Sequence, residues 1–388
     1  MVTNNINNET PPNGSPYEPE CESQLQGLLK FVAAEEIPSS ADLFSAEMLE
    51  EYLCSVGDPP LSLVTVGDIM LGARARRRIQ EHGIDYPFSA VLPILRRAPI
   101  VVGNLEGPLA RKAQKQDRTF SYRAKPTIAK YLIRAGINVV TLANNHLTDC
   151  GREGILETLQ ALATAGVKPL GAAANASAAH RPVILEAAGL QIGLLSYYWN
   201  RRCAATATLP GGAMGQFDEL EADICALRKQ VDRLVVMFHW GRPYKLDPSP
   251  RARAKAHVAV DCGADAVVGH HPHILQAFEI YRNCPIFYSV GNFAFGSGNS
   301  KAEGLLLGFR FEGTKTVVNI YPLYVKNRDP RVNYQPKVLR GDAVERKLRY
   351  LAALSGRNGA FLQIEQGRGK LELPCRAATS TMRGKTVA

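Results

Sequence analysis

Residues 266–273 read AVVGHHPH, and the interpretation of the whole chain starts from this stretch. A short apolar run ends at Gly269 and is followed by three histidines, His270, His271 and His273. Strand ends present metal ligands in this way. The chain holds only eight histidines, so a cluster of this kind indicates a common role. A hydrogen-bonded pair of core histidines is the alternative, and partners elsewhere in the chain decide between the two.

The composition is that of a soluble globular protein, with 46% hydrophobic and 21% charged residues. At 388 residues the chain can form one large or two ordinary domains. No apolar run approaches the roughly 18 to 20 residues that span a bilayer, and the N-terminus lacks the basic and apolar regions of an export signal. Eight scattered cysteines without a C-x-x-C pair indicate free thiols. We therefore expect a cytoplasmic protein.

The net charge of +10 is unevenly distributed. Residues 1–60 hold one lysine against eleven acidic residues, so the rest of the chain is strongly basic. A basic body can bind nucleic acid, an anionic polymer or an anionic small molecule. Because no nucleic-acid-binding motif is present, nucleic acid is not expected as a partner.

Composition and helical periodicity predict four segments: a disordered tail at 1–20, a helical extension at 21–60, a main domain at 61–328, and a basic C-terminal extension at 329–388 whose end is disordered. The tail has few large apolar groups to offset the entropy of ordering. Helices are predicted at 23–34 and 40–54, the second capped by Ser39 or Ser40. Asp58-Pro59-Pro60 marks the start of the main domain.

Beyond residue 60, strand-like and helix-like runs alternate, which is typical of an α/β layered fold. The predicted strands are 61–66, 100–102, 139–142, 234–238, 264–268 and 286–289, and the predicted helices are 127–135, 154–165, 219–231, 250–262 and 342–354. A hairpin is predicted near Gly189, and two antiparallel strands at 305–311 and 317–325 are predicted to close the sheet. Polar clusters follow the strands, where open α/β sheets place their ligand sites.

Several of these strand ends carry candidate ligands. Asp68 and Glu106 follow two strands, although a turn-capping aspartate and a first-turn glutamate are the alternatives. Asn145 and His146 follow a third strand and offer an oxygen ligand and a proton donor. His239 follows a fourth and, taken alone, would more often be structural. Together they supply six or seven oxygen and nitrogen ligands without a thiolate, which favours two metal ions that share a carboxylate.

Six motifs carry a family resemblance: VGDIMLG at 66–72, GNLE at 103–106, LANNH at 142–146, HWG at 239–241, GHHPH at 269–273 and YSVGNF at 288–293. In this order they resemble the CapA family, the poly-γ-glutamate capsule biosynthesis proteins of the calcineurin-like metallophosphatase superfamily. The resemblance covers about residues 62–326. It implies a metallophosphatase-like sandwich of two β-sheets flanked by helices, with a dinuclear site at one edge and a link to capsule, polyglutamate or related peptide metabolism.

Two departures from a typical metallophosphatase bear on the reaction. Met70 stands where the first motif usually has a histidine ligand, and Glu106 replaces a bridging aspartate. Both are usual for CapA-like sequences, and both argue against simple phosphatase activity. Capsule-system members often carry an N-terminal membrane anchor. No anchor is visible here, which weakens a role in export.

The resemblance gives each candidate a role. The expected metal ligands are Asp68, Glu106, Asn145, His239, His271 and His273. His146, with Asn145, is expected to act in catalysis by protonating the leaving group or stabilising developing charge. Spacing alone does not separate His270 from His271 as the ligand, but His271-Pro272-His273 matches the His-x-His of the superfamily. Candidates for binding an anionic substrate are Arg74, Tyr122, Arg123 and His270, with solvated surface arginine as the alternative for Arg74 and Arg123.

These assignments predict a cytoplasmic hydrolase that uses two divalent ions, Mn, Zn or Fe, to activate water. The expected substrate is an anionic small molecule or a polyglutamate-like chain, and a capsule or peptide synthetase is the expected protein partner. Two alternatives are a non-catalytic component that binds polyglutamate or acts in its biosynthesis or export, and a metal-dependent phosphoesterase.

Overall fold

The computed structural model describes residues 37–72, 74–114, 120–298 and 301–375. The predicted tail at 1–20, the predicted helix at 23–34 and the predicted disordered end lie outside these ranges. The described residues from Ile37 to Cys375 form one compact unit. The four segment boundaries stay predictions.

Eighteen strands are present in the described residues. In chain order they are β1 (Leu63–Met70), β2 (Val101–Leu105), β3 (Val139–Thr141), β4 (Lys168–Leu170), β5 (Ala172–Ala173), β6 (Val183–Ala187), β7 (Leu190–Tyr197), β8 (Gly211–Gly212), β9 (Arg233–His239), β10 (Ala266–His270), β11 (Phe278–Tyr281), β12 (Cys284–Phe287), β13 (Asn292–Phe295), β14 (Gly304–Phe311), β15 (Lys315–Tyr324), β16 (Lys337–Val338), β17 (Gln363–Glu365) and β18 (Arg368–Pro374).

The described α-helices are α1 (Ala46–Ser55), α2 (Ala75–His82), α3 (Leu92–Leu95), α4 (Ile128–Arg134), α5 (Gly151–Ala165), α6 (Ala176–Ala179), α7 (Phe217–Arg228), α8 (Pro250–Asp261) and α9 (Asp342–Leu354). Short 3-10 turns cover Ser40–Asp42, Ser89–Val91 and Gly356–Phe361. No described helix is both long and apolar enough to cross a bilayer.

Two large sheets carry the fold. The ten-stranded sheet has the order β17-β18-β15-β14-β1-β2-β3-β4, with β13 beside β1 and β16 beside β15. The six-stranded sheet has the order β11-β12-β10-β9-β7-β6. Strands β1 to β4 run parallel to one another, as do β7, β9, β10 and β12. The carboxyl ends of the parallel strands therefore share one edge in each sheet.

Alternating apolar residues create three hydrophobic layers. Within β1, Leu63 packs in the cluster between the two sheets, whereas Val64 packs in the cluster that includes the helical residues Leu132 and Ile155. A third cluster joins the other face of the small sheet to α7 and α8. Successive strand residues point to opposite faces, so a strand that is apolar on both faces needs a layer on each side. This arrangement confirms the predicted α/β fold, a sandwich of two sheets flanked by helices.

Most predicted elements are present with ends shifted by a few residues. The hairpin is confirmed: β6 and β7 pair in antiparallel register and turn through Ala188 and Gly189, which have φ angles of 52° and 75°. The predicted helix at 40–54 begins later, at Ala46, because the Ser45 side chain accepts the Met48 amide at 3.2 Å. Ser40–Asp42 forms a separate 3-10 turn instead.

The expectation that the strands near 305–325 close the sheet is wrong. The antiparallel pair β14 and β15 is present, but β18 pairs with the free side of β15 and β17 follows it. Leu371 and Leu373 of β18 are buried at 0% and 2% exposure. The C-terminal segment therefore contributes three strands, β16, β17 and β18, and core residues to the large sheet.

Candidate metal centre

The site forms where strands of the two sheets end. Asp68 pairs in register with Asn104 of β2 on one side and Asn292 of β13 on the other. Glu106 follows β2, and its backbone amide donates to the Ile69 carbonyl at 2.8 Å. In the small sheet, His270 pairs in register with His239. Parallel pairing thus brings the polar residues that follow separate strands to one place.

Two groups of side chains converge on Glu106. One contains Glu106, His271 and His273, and the other contains Asp68, Glu106 and His239. In each group, one nitrogen or oxygen atom per residue lies within 4.8 Å of the others. Five of the six predicted metal ligands therefore lie together, and Glu106 belongs to both groups.

The Glu106 carboxylate fits a bound cation. Both of its oxygens are buried and, within the described residues, neither has a hydrogen-bond partner. Burial, and then the charge of Asp68, raise the pKa of Glu106 well above its usual value. The Nδ1 atom of His271 is likewise buried without a hydrogen-bond partner. Buried polar atoms without partners are rare unless they serve a ligand, and a divalent ion satisfies carboxylate oxygens and imidazole nitrogens together.

The histidines differ in charge state. Burial and neighbouring histidines lower the pKa of His239 well below its usual value and lower that of His271 to about 3. Both rings are therefore neutral, which is the state that binds metal. Burial also acts to lower the pKa of His273, but the carboxylates of Glu106 and Asp68 outweigh it and raise the value to about 9. His273 is therefore protonated in the metal-free protein, beside the carboxyl groups of Asp68 and Glu106.

Two of the predicted histidine ligands have positive φ angles. His271 and His273 have φ angles of 100° and 60°, a region that non-glycine residues seldom occupy. The preceding Gly269 has no room for a side chain, since a Cβ atom would lie 2.1 Å from the Tyr288 carbonyl oxygen. The sequence GHHPH therefore combines two features. Gly269 lets β10 approach the main chain after β12 closely, and the following turn presents His271 and His273.

The predicted catalytic residues also reach the site. The Nδ1 atom of His146 donates to Asp149 Oδ2 at 2.7 Å, and its Nε2 atom lies 3.5 Å from Glu106 Oε1. Asn145 Oδ1 accepts from His239 Nε2 at 2.6 Å. Both residues thus contact members of the ligand groups.

The predicted substrate-binding residues are distributed differently. The Tyr122 ring lies 4.2 Å from the His146 ring, centroid to centroid. Arg74 and Arg123 are exposed. His270 is 1% exposed, and its Nε2 atom donates to the Val66 carbonyl at 3.2 Å, so this ring packs against the main chain of β1. Of these four residues, Tyr122 is the one for which the structure gives a contact with a predicted catalytic residue.

Three polar residues of the site were not assigned from the sequence. Asn104 Nδ2 donates to Asp68 Oδ1 at 2.8 Å and lies 3.3 Å from His239 Nδ1, so one amide holds both candidate ligands. Asn292 Oδ1 lies 2.8 Å from His273 Nδ1. Asn104 lies inside the GNLE motif and Asn292 inside the YSVGNF motif, so the sequence contained a sign of their role. For Asp149 the sequence offered only its position three residues after His146.

Comparison with known proteins supplies the family. The profile of the family described as "Bacterial capsule synthesis protein PGA_cap" matches residues 62–297. A "Capsule biosynthesis protein CapA" of Bacillus anthracis is 34% identical over 284 residues, covering 70% of this chain and 69% of that protein. A "PGA biosynthesis protein CapA" of Bacillus subtilis is 35% identical over 246 residues, covering 62% of this chain and 65% of that protein.

A solved structure with a similar fold is that of a 5'-nucleotidase precursor from Thermus thermophilus, at 12% identity and a TM-score of 0.40, covering 69% of this chain and 52% of that one. The family profile spans more than half of the chain, and it contains all the strand-end motifs that build the site. This chain belongs to the bacterial capsule synthesis protein family that contains the CapA proteins.

Proposed function

We propose that this chain is a metal-dependent hydrolase that cleaves γ-linked glutamyl chains in capsule or related peptide metabolism. The observation that carries the proposal is the Glu106 carboxylate, which is buried, has no hydrogen-bond partner within the described residues and is common to both ligand groups. A protein with a purely structural site has no need of such a group, because burying a carboxyl group without hydrogen-bond partners is costly.

The ligand set proposed for two divalent ions is Asp68, Glu106, Asn145, His239, His271 and His273. Divalent ions in such a set supply Lewis acidity toward water and toward a carbonyl oxygen of the substrate. Asn104 fixes the orientation of Asp68 through its amide, and Asn292 does the same for His273. Amide partners of this kind hold ligands in position before binding.

Proton transfer is assigned to His146. Its Nδ1–H bond to Asp149 fixes the ring and leaves the Nε2 atom turned toward Glu106. When water adds to the amide carbonyl and the C–N bond breaks, the departing nitrogen needs a proton. His146 accepts a proton at Nε2 from the attacking water and passes it to that nitrogen, and Asp149 stabilises the charged imidazolium ring while the proton is held.

The test is a reconstitution experiment. Purified protein is stripped of metal, loaded separately with Mn²⁺, Zn²⁺ or Fe²⁺, and incubated with γ-linked glutamyl oligomers and with a phosphate monoester. We expect about two ions per chain by elemental analysis and release of glutamate from the oligomers. Absence of bound metal would refute the metal-dependent proposal, and preferential cleavage of the phosphate ester would identify a phosphoesterase instead.

A second candidate function is a non-catalytic component of capsule synthesis that binds polyglutamate or a synthetase partner. The names of the two Bacillus relatives favour it, since both state biosynthesis and neither states hydrolysis. The same experiment separates the two functions, because this component would bind oligomers without releasing glutamate under any metal. The cytoplasmic location remains part of the proposal.

A further inference from the structure

A cavity of about 410 Å³ has Tyr122 in its lining and carries positive charge. Among the described residues, its lining includes four cationic side chains, those of Arg76, Arg111, Arg123 and Lys125, and no acidic one. Within the described residues, none of the four forms an ion pair. The volume falls in the range of small-molecule sites.

Tyr122 connects this cavity to the catalytic residues. It lines the cavity, and its ring lies 4.2 Å from the ring of His146. Its backbone amide donates to Asp149 Oδ2 at 2.6 Å, which ties the cavity wall to the His146 and Asp149 pair. A ligand that fills the cavity therefore lies one side chain away from the proton donor.

The lining suits a chain that alternates carboxylates with methylene groups. Apolar side chains of Leu71, Ile79 and Ile128 line the same cavity as the four cations. A polymer of phosphates offers charge but no apolar surface, whereas a γ-linked glutamyl chain offers an α-carboxylate and two methylenes in every unit. Arginine binds carboxylates through charge-assisted hydrogen bonds, and methylene groups gain from contact with aliphatic side chains.

We propose that this cavity is a subsite for the carboxylates of a γ-linked glutamyl chain, and that it holds the units next to the bond placed at the metal centre. The proposal rests on the proposed function and adds the residues that recognise the substrate. It predicts that affinity for a long chain depends on Arg76 and Arg111, while the chemistry at His146 does not.

The test compares two double variants that remove equal charge. Arg76→Ala/Arg111→Ala empties the cavity of two cations. The control, Arg77→Ala/Lys112→Ala, replaces the two cations that directly follow Arg76 and Arg111 in the sequence. Neither Arg77 nor Lys112 lines the cavity. Binding of a fluorescent γ-linked glutamate hexamer is measured by anisotropy in metal-free protein, with inorganic polyphosphate as a competitor.

We expect the cavity variant to bind the hexamer roughly tenfold more weakly or worse, because two charge-assisted contacts are lost, and the control to change less than about twofold. Equal weakening in both variants would show diffuse attraction and overturn the proposal. So would an unchanged cavity variant, or polyphosphate that displaces the hexamer more strongly than unlabelled hexamer does.

Turnover distinguishes this proposal from the proposed function. In metal-loaded protein, the cavity variant should raise KM for the hexamer with little change in kcat, since the altered residues lie outside the ligand groups. If the protein bound the hexamer in the cavity but released no glutamate, the proposed hydrolase activity would be contradicted and the proposed subsite would be supported. A lower kcat at unchanged KM would count against the subsite.

Discussion

His146 and Asp149 are joined by a 2.7 Å contact between Nδ1 and Oδ2, and the other ring nitrogen of His146 points toward Glu106 at 3.5 Å. Asp149 belongs to neither group of candidate metal ligands. The pair therefore separates proton transfer from metal binding, which allows each to be tested alone.

Replacing Asp149 with asparagine should lower kcat without lowering metal content. The amide can still accept from the Tyr122 backbone, but it no longer stabilises a charged His146 ring. We expect a loss of about 10²-fold or more, the usual contribution of a general acid, with two ions retained by elemental analysis. Asp223→Asn, remote from the site, should keep full activity. Loss of metal from Asp149→Asn would place Asp149 in the metal site instead.

Glu106→Gln should have opposite effects with and without metal. In metal-free protein the change removes a carboxyl group whose ionised form is disfavoured by burial and by Asp68, so the variant should be more stable near neutral pH by about 1 kcal/mol or more, a rise in Tm of a few degrees. Metal should then add little stability, because the shared carboxylate is gone. Calorimetric titration and thermal unfolding of the same sample measure both.

Glu279→Gln is the matched control for that experiment. Glu279 accepts from His257 Nε2 at 2.9 Å and from the Tyr288 hydroxyl at 2.6 Å, so its oxygens already have partners. The same substitution there should destabilise the protein and leave metal binding unchanged. A Glu106→Gln variant that behaves like Glu279→Gln would remove Glu106 from the site.

The sequence predicted an α/β layered fold and candidate ligands at strand ends because strand periodicity and strand-end polar residues are local signals. The sandwich of two sheets was implied by the family resemblance. The run LVVMF before His239 and the apolar residues before Gly269 both identify strands without tertiary information. Asp68, Glu106 and His239 could be proposed together because parallel strands bring their carboxyl ends to one edge.

Side-chain orientation and long-range pairing could not be predicted in this way. His270 and His271 are adjacent, and spacing did not distinguish them, yet the positive φ of His271 brings it into a ligand group while His270 turns toward Val66. Strand β18 was missed because its pairing depends on β15, fifty residues earlier in the chain. Asn104 is positioned by hydrogen bonds to Thr141 and Asn144, which no single segment reveals.

A pH dependence of stability should arise at His180. Burial opposes its charged form, but the Asp223 carboxylate, 2.7 Å from Nδ1, outweighs burial and raises the His180 pKa. The unfolded value is about 6.5. Stabilisation from this pair is therefore complete below that pH and is lost as pH rises through the higher folded value.

Asp223→Asn should remove that part of the pH dependence. Urea unfolding between about pH 6 and 8 should show a smaller slope than in the unaltered protein, whereas Glu221→Gln on the exposed side of the same helix should keep it. If Asp223→Asn showed the same slope as the unaltered protein, Asp223 would not raise the pKa of His180.

The last prediction concerns Asp58 and Arg368, which pair across 310 residues with an Nη2 to Oδ2 distance of 2.8 Å. The Arg368 side chain is 2% exposed and that of Asp58 is 15% exposed, so the pair is largely removed from water. The link joins the chain just before β1 to the first residue of β18.

Asp58→Asn should cost roughly 3 to 5 kcal/mol, because it leaves a buried guanidinium without its counter-charge. Glu345→Gln, which breaks an exposed helical pair with Arg349, should cost no more than about 0.5 kcal/mol. The apolar double variant Asp58→Leu/Arg368→Met should recover much of the loss, since replacing both members of a buried pair is far less costly than removing one. Urea unfolding of the four proteins gives the comparison. If Asp58→Asn cost no more than Glu345→Gln, the Asp58 and Arg368 pair would not fasten β18 to the large sheet, and the stability of that strand would come from Leu371 and Leu373 alone.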